Sequence, residues 1–266
     1  PITVITKPGT VTHVVMPGAS SMRGVTGYRL SDVMNGALAQ LIPDRVPAAG
    51  EGGSTLAFFS GRAGGEPFVY SELVVGTWGG RPVADGNDGL ANPCASMANI
   101  PVEVAEADWP IHIERYGLVT DSGGAGRYRG GLAVERVWRA LLPETLLQVR
   151  SDRQVHRPYG LHGGLPGAGS SNLIIRRDGS LERLPPMFGA RLQAGDVFHH
   201  RMPGGGGWGD PRERDPQAVA QDVCDEKVTR AAAREHYGVH LHDDGSVDVG
   251  ATVRARAEAT DLELAP

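Results

Sequence analysis

The sequence predicts an α+β fold rich in short strands, with β-rich mixed sheets, few helices and a helical carboxy-terminal segment. Glycine supplies 38 and proline 19 of the 266 residues, and both are spread along the whole chain. Turn formers at this density divide a chain into short strands and loops. We therefore expect a β-rich core over residues 1–211 and a helical segment with a polar tail over residues 212–266.

Composition excludes several classes of protein. Charged residues make up 21% of the chain and hydrophobic residues 40%, which is typical of a globular domain in water. A net charge of −5 argues against a nucleic-acid partner, and no apolar run is long enough to cross a bilayer. The two cysteines, Cys94 and Cys224, form no metal-type or redox-type pair. The chain is expected to be cytoplasmic and reduced, with no membrane partner.

One helix is predicted over Ser31 to Ile42, because Ser31 can cap its start and Pro43 ends it. Its apolar residues form one stripe at helical spacing. The stripe consists of Val33, Ala37, Leu38, Leu41 and Ile42.

Two helices are predicted after Pro211. Asp215 can cap the first, with Pro216 at its first position, as the backbone preferences of these residues favour. Thr229 can cap the second, over Arg230 to Tyr237, and Gly238 ends it. The residues from Asp243 onward are polar and are expected to be peripheral.

Seven strands are predicted, and Asp178-Gly179 between two of them is a strong hairpin signal. They are Glu66–Val75, Trp109–Val119, Leu132–Arg139, Thr145–Arg150, Asn172–Arg177, Ser180–Leu184 and Gly195–Arg201. The extended segment from Ile2 to Ile5 is expected to begin in mid-strand. It indicates a chain cut from, or encoded beside, a preceding partner, or else an artificial boundary. The large apolar content of the strands from Pro1 onward predicts an obligate interface rather than a free monomer.

The glycine-rich segment from Pro203 to Pro211 contains a G-x-G-x-x-G pattern. Dinucleotide binding requires a helix to begin on the last glycines, and Pro211 places the next helix too late. A tight loop that lets backbones approach closely, beside a substrate or partner, is the favoured interpretation. Gly205 and Gly206 are therefore candidate substrate-binding residues.

Several catalytic signatures are absent from the sequence. Neither Lys7 nor Lys227 follows a glycine, so the chain has no Walker A loop, and it has no G-x-S-x-G nucleophile elbow. The histidines near Gly238 and the adjacent pair His199-His200 lack carboxylates at a ligand spacing, so no metal ligand is predicted.

Two acidic loops are candidate sites. Asp85 and Asp88 follow Trp78-Gly79-Gly80. They can either stabilise a turn or act in acid–base catalysis. Asp152 lies between two arginines and can orient a guanidinium, either for structure or to hold a substrate carbonyl. The candidate catalytic residues are thus Asp85, Asp88 and Asp152, and Trp78, Gly79 and Arg153 join the substrate-binding candidates.

Taken together and in order, these segments resemble the carboxy-terminal half of the hydantoinase B/oxoprolinase family over roughly residues 1–241. The most specific strings are Ser-Gly-Gly-Ala-Gly-Arg-Tyr-Arg-Gly-Gly at residues 122–131 and Pro-Gly-Gly-Gly-Gly-Trp-Gly-Asp-Pro at residues 203–211. The segments Trp78–Gly89, Asn99–Glu106 and Val228–Val239 also match the family.

The resemblance implies a subunit of an ATP-dependent complex that opens a cyclic amide such as a hydantoin, oxoproline or lactam. The expected partners are the amino-terminal half of the B-type subunit, an A-type subunit that binds ATP, and a small-molecule substrate. The resemblance also implies that the metal ligands of the family lie in that amino-terminal half. A divalent metal is therefore expected on that partner, and ATP is expected on the A-type subunit. Two alternatives are a subunit of an acetone- or acetophenone-type ketone carboxylase and a non-catalytic scaffold.

Overall fold

The computed structural model describes residues 3–20 and 23–263, with side chains described to residue 258. Its strands are β1 (Thr55–Ala63), β2 (Glu66–Val74), β3 (Ile111–Val119), β4 (Ala133–Ala140), β5 (Thr145–Arg150), β6 (Ser171–Ile175), β7 (Leu181–Leu184), β8 (Met187–Leu192) and β9 (Val197–Arg201). Its α-helices are α1 (Arg23–Leu38), α2 (Val102–Asp108), α3 (Pro216–Cys224), α4 (Arg230–Tyr237) and α5 (Val249–Glu263). Short 3-10 helices span Pro43–Arg45 and Pro211–Glu213.

The strands form two sheets, with the orders β2-β1-β5-β8 and β3-β4-β9-β6-β7. The predicted α+β class is confirmed. Every strand pairing within the two sheets is antiparallel, so the mixed sheets that were expected are not seen. The hairpin predicted at Asp178-Gly179 joins β6 to β7, and Gly179 adopts the positive φ of 85° that its turn requires.

The inner faces of the two sheets share one hydrophobic core. Phe59, Tyr70 and Leu147 come from the first sheet, and Trp138 and Phe198 come from the second. The rings of Trp138 and Phe198 stack with centroids 5.5 Å apart. Inward residues alternate with outward ones along β1 and β5, as expected for sheets with one buried face.

The capping signals identified α3 and α4 correctly. The Asp215 side chain accepts a hydrogen bond from the backbone N–H of Gln217, and the Thr229 side chain accepts one from Ala232. Gly238 ends α4 in the left-handed conformation, with φ 62°.

The amino-terminal helix was placed wrongly at both ends. It runs from Arg23 to Leu38, so Ser31 lies inside α1 and does not cap it. The short helix α2 was missed because Pro101 precedes it without a side-chain cap. Strands β1 and β8 and helix α5 were also not predicted. Thr3 to Ile5 form no strand, and Ile2 lies outside the described residues.

Glycine-rich segments form a second structural unit, centred on residues 204–209. The backbone N–H groups of residues 204–209 donate to neighbouring segments on three sides. Those of residues 204 and 207 reach the 165–168 segment, those of 205 and 208 reach the 128–131 segment, and those of 206 and 209 reach Ala49 and Leu161. A period of three is that of an extended left-handed helix rather than a β-strand. We call this unit the glycine bundle.

The carboxy-terminal helices pack on the glycine bundle through a second apolar cluster, which includes Ala125, Val219 and Tyr237. The predicted domain boundary at residue 211 stays a prediction. Over the described residues, no helix combines the length and the apolar character that a membrane crossing would need.

A buried histidine makes stability depend on pH. Asn172 donates its Nδ2 protons to Ser151 and Pro185, so its Oδ1 accepts from Nδ1 of His200 at 2.7 Å. Burial, helped by the neighbouring charge of His199, lowers the pKa of His200 to about 3. The folded state therefore keeps this imidazole neutral, whereas the unfolded state protonates it below its usual value of 6.5.

We expect His200 to remove about 1.4 kcal/mol of unfolding free energy per pH unit as the pH falls from 6.5 toward 3. Urea unfolding of wild type and His200→Gln between pH 7 and pH 5 measures this slope, which the variant should lack. His156→Gln, at an exposed position, is the control and should keep the wild-type slope. Equal slopes in wild type and His200→Gln would contradict the assignment.

Candidate functional site

A cleft of about 360 Å³ opens between α1 and the glycine bundle. We call it the Trp78 pocket. Its walls come from α1, from residues 44–50, from residues 77–83 and from Asn92-Pro93. Apolar surface predominates, and the apolar lining residues include Trp78, Val83 and three prolines. A half-enclosed apolar cleft with a few polar groups is the usual form of a small-molecule site.

The Trp78 side chain is held in place by its own polar atom. Its indole Nε1 donates a hydrogen bond to the carbonyl oxygen of Ala91 at 2.6 Å. Gly79 follows it, and a Cβ added there would lie closer than 3.0 Å to the carbonyl oxygens of Ala48 and Ala49. The two predicted substrate-binding residues Trp78 and Gly79 therefore both line the pocket, and Gly79 is required for the close approach of its walls.

A group of charged side chains lies at the α1 side of the pocket, and we call it the Arg29 cluster. Asp32 accepts hydrogen bonds from Arg29, at 3.1 Å, and from Arg153. Arg29 also pairs with Asp152 at 2.7 Å. Asp32 lines the pocket and is only 7% exposed. Burial raises the pKa of Asp32 above its ordinary value, against the opposing charges of Arg153 and Arg29.

Asp152 and Arg153, two of the predicted site residues, thus belong to the Arg29 cluster and do not line the pocket. Arg153 adopts a positive φ of 64°, and the Asp152 side chain accepts the Arg153 backbone N–H at 2.6 Å. This local contact holds an uncommon backbone conformation. The Arg153 guanidinium pairs with Asp32, and Asp32 lines the pocket. Arg153 therefore acts on the pocket wall through Asp32.

Glu51 is a fully enclosed acid behind the same wall. Its residue is 1% exposed, and the backbone N–H of Gly76 approaches its carboxyl group. A Cβ on Gly76 would overlap the Glu51 carboxyl, so that glycine makes room for the acid. Burial raises the pKa of Glu51 well above its ordinary value. This buried carboxyl is therefore neutral across a wider pH range than a surface glutamate.

The glycine bundle carries the opposite wall of the pocket. Gly206 donates to the carbonyl oxygen of Ala49 and accepts from the N–H of Gly80, both at 2.8 Å. Gly205 donates to Gly131 at 2.9 Å. The backbone groups of these two substrate-binding candidates are therefore engaged within the fold, and both residues stand one layer behind the pocket.

Asp85 and Asp88 lie in a different network. Arg214 forms a bidentate pair with Asp85 at 2.7 and 2.8 Å and also pairs with Asp222. Asp85 further accepts the backbone N–H of Arg129, and Asp88 accepts that of Leu132. Burial alone would raise the pKa of Asp85, but the hydrogen bonds and charge of Arg214 lower it below its ordinary value. Neither carboxylate lines the Trp78 pocket.

Sequence reasoning missed several of the residues assembled here. Asp32 and Asn35 lie in a predicted helix with nothing local to mark them, and Glu51 stands between two glycines. The run Gly50-Glu51-Gly52-Gly53 was the available signal, because an acid in such a run is placed where backbones approach closely. Arg153, more than a hundred positions away, contacts the Asp32 carboxylate and the Glu51 backbone carbonyl.

The described residues offer no fit to a resident metal. Among residues 3–20 and 23–258, no three or more histidine, cysteine, aspartate or glutamate side chains are grouped so that they could hold an ion. The sequence also lacks a phosphate-binding lysine loop.

Comparison with known proteins identifies the family. The model of the hydantoinase B/oxoprolinase family matches residues 1–211, and the chain belongs to this family. The chain is 36% identical to an uncharacterized protein of Methanocaldococcus jannaschii, covering 96% of this chain and 45% of that protein. It is 31% identical to a putative B-type subunit of a D-/L-hydantoinase from a Pseudomonas species, covering 96% and 43%.

Among solved structures, an ATP-dependent caprolactamase from Pseudomonas jessenii superposes with a TM-score of 0.81 at 26% identity. The match covers 96% of this chain and 46% of the caprolactamase chain. The chain therefore spans less than half the length of each of these three relatives.

Proposed function

We propose that this chain acts as the carboxy-terminal half of a hydantoinase B-type subunit in an ATP-dependent complex that opens a cyclic amide. The amino-terminal half of the subunit and an A-type subunit are the proposed partners, and ATP and a divalent metal are placed on them. The assembly is proposed to work in the cytoplasm. A hydantoin and a lactam, the substrates that the names of two relatives indicate, share a small ring that contains an amide.

The Trp78 pocket is the observation that carries this proposal. A small ring matches a cleft whose exposed surface is mainly apolar, and the polar side chains that also line it, such as Asn35, Arg81 and Asn92, suit the amide of such a ring. Asp32, one of two acids that line the pocket, has a raised pKa. We assign binding and orientation of the ring to these residues and leave phosphoryl transfer to the partner chains.

The test is ADP release by the assembly purified through a tag on this chain. Hydantoins and lactams are expected to stimulate ADP release and to yield the ring-opened product. A second arm supplies acetone or acetophenone with bicarbonate. Turnover in that arm alone would replace the proposed reaction with ketone carboxylation, and turnover in neither arm would favour a scaffold.

Within that assay, Trp78→Leu is expected to raise KM for the cyclic amide about tenfold, because losing one good aromatic contact costs about 1.4 kcal/mol. The rate at saturating substrate should change less, since Trp78 orients the ring and moves no proton. Leu181→Ala, at an exposed position on β7, is the control and should leave KM unchanged. An unchanged KM in folded Trp78→Leu would remove the pocket from the substrate site.

A further inference from the structure

Helix α1 presents apolar side chains to solvent in a regular pattern. Val33 is 63% exposed, Met34 58%, and Leu41, just after the helix, 79%. These residues and their neighbours follow the three-and-four spacing of one helix face. We call this surface the α1 stripe; it consists of Leu30, Val33, Met34, Ala37, Leu38 and Leu41.

The opposite side of α1 faces the protein and carries Asp32 and Asn35 together with the partly buried Val25 and Tyr28. Asp32 is the one fully buried residue of the helix, and it lies in the Arg29 cluster. The hydroxyl of Tyr159 donates to the carbonyl oxygen of Asp32 at 2.6 Å, and Gly36 leaves room for that ring. A surface helix ordinarily packs its apolar stripe inward and its charges outward. In α1 this arrangement is largely reversed, because most of its apolar side chains are exposed.

We propose that the α1 stripe is the docking surface for the half of a hydantoinase B-type subunit that this chain does not match. Three relatives carry more than half of their length outside the match, so each must join that part to a surface equivalent to one on this chain. Helix α1 lies within the family match of residues 1–211, whereas α5, which exposes Val249 and Val253, lies beyond it.

The same helix contributes to the Trp78 pocket. Ser31, Asp32 and Asn35 line the cleft from one side of α1, while Val33 and Met34 point away from the protein. A partner seated on the stripe would therefore support the pocket wall directly. This inference rests on the proposed function for the identity of the partner and on the reversed helix for the surface.

Photo-cross-linking in the assembly tests the inference. p-Benzoylphenylalanine replaces Met34 in the tagged chain, and the same residue replaces Met187 on β8 as an equally exposed control. We expect the Met34 position to form an adduct whose peptides belong to the hydantoinase B family and fall outside the segment that this chain matches. The Met187 position should not form this adduct.

A pair of variants supplies an independent readout. Val33→Asp with Met34→Asp should lower co-purification of that family polypeptide at least tenfold, with the circular dichroism spectrum of the chain unchanged. Val249→Asp with Val253→Asp, equally exposed on α5, should leave co-purification unchanged.

Adducts to a second copy of this chain, to an A-type subunit or to no polypeptide would each overturn the inference, as would equal co-purification by both pairs of variants. Ring opening is measured on the same preparations. An adduct to a second copy while ring opening persists removes the docking surface and leaves the proposed function intact. The expected adduct without ATP-dependent ring opening would support the docking surface and contradict the proposed function.

Discussion

Gly206→Ala is expected to prevent the chain from reaching its native state. A Cβ at this position would lie closer than 3.0 Å to the carbonyl oxygen and carbon of Tyr159 and to the N–H nitrogen of Gly160. These are backbone atoms, which cannot rotate away as a long side chain can. Gly206 also bonds to Ala49 and Gly80 through its own backbone, so a shift that relieves one overlap breaks the other contacts.

The expected loss exceeds about 4 kcal/mol, because overpacking that forces main-chain atoms apart belongs to the most damaging class of substitutions. Soluble yield and the thermal midpoint by circular dichroism measure it. Gly117→Ala on β3 is the matched control, since its added methyl group meets nothing within 4 Å. Gly189→Ala, whose Cβ would make an ordinary contact at 3.9 Å, should also fold. A Gly206→Ala protein with the midpoint of the Gly117 variant would show that the glycine bundle tolerates side chains.

Arg214→Met is expected to destabilise the fold by about 3–5 kcal/mol, the usual cost of removing one member of a buried ion pair. Arg214 is 6% exposed and pairs with Asp85 and with Asp222, which is also 6% exposed. Methionine replaces the packing of the side-chain stem and removes only the guanidinium. Asp222, which is buried, then retains a longer contact with Arg129 at 3.7 Å, and the Asp85 side chain, 34% exposed, loses both bonds of its bidentate pair.

The loss should be greatest at neutral pH. Because Arg214 lowers the folded-state pKa of Asp85 below its usual 3.8, the stabilisation is present above that value and is lost as the pH falls through the folded pKa. Urea unfolding at pH 7 measures the difference. Arg191→Met is the control, because Arg191 and Glu144 are 70% and 64% exposed and such surface pairs contribute about 1 kcal/mol or less. Equal midpoints for the two variants would contradict a structural role for Arg214.

The Arg214 result also bears on the candidate catalytic acids. Asp85 accepts bonds from Arg214 and from the backbone of Arg129, 44 residues away. Loss of activity in Asp85→Asn is therefore informative only when unfolding is measured beside it. Asp32 differs, because it lines the Trp78 pocket with a raised pKa.

The sequence alone predicted those features that depend on neighbouring residues. The caps at Asp215 and Thr229, the left-handed Gly238 and the hairpin at Asp178-Gly179 involve atoms only a few positions apart. The glycine-rich strings predicted close backbone approach, because glycine alone permits it, and they predicted the family. Local chemistry was sufficient for each of these.

Only the tertiary structure decided which residues meet at the Trp78 pocket and which face of α1 turns inward. The apolar stripe of α1 was visible in the sequence, but its direction depends on Asp32 meeting Arg153, 121 residues later. In the same way, an ion pair with the distant Arg214 makes Asp85 part of a structural network. Periodicity states which residues share a face, whereas the partner of that face is set by contacts that the spacing of residues does not encode.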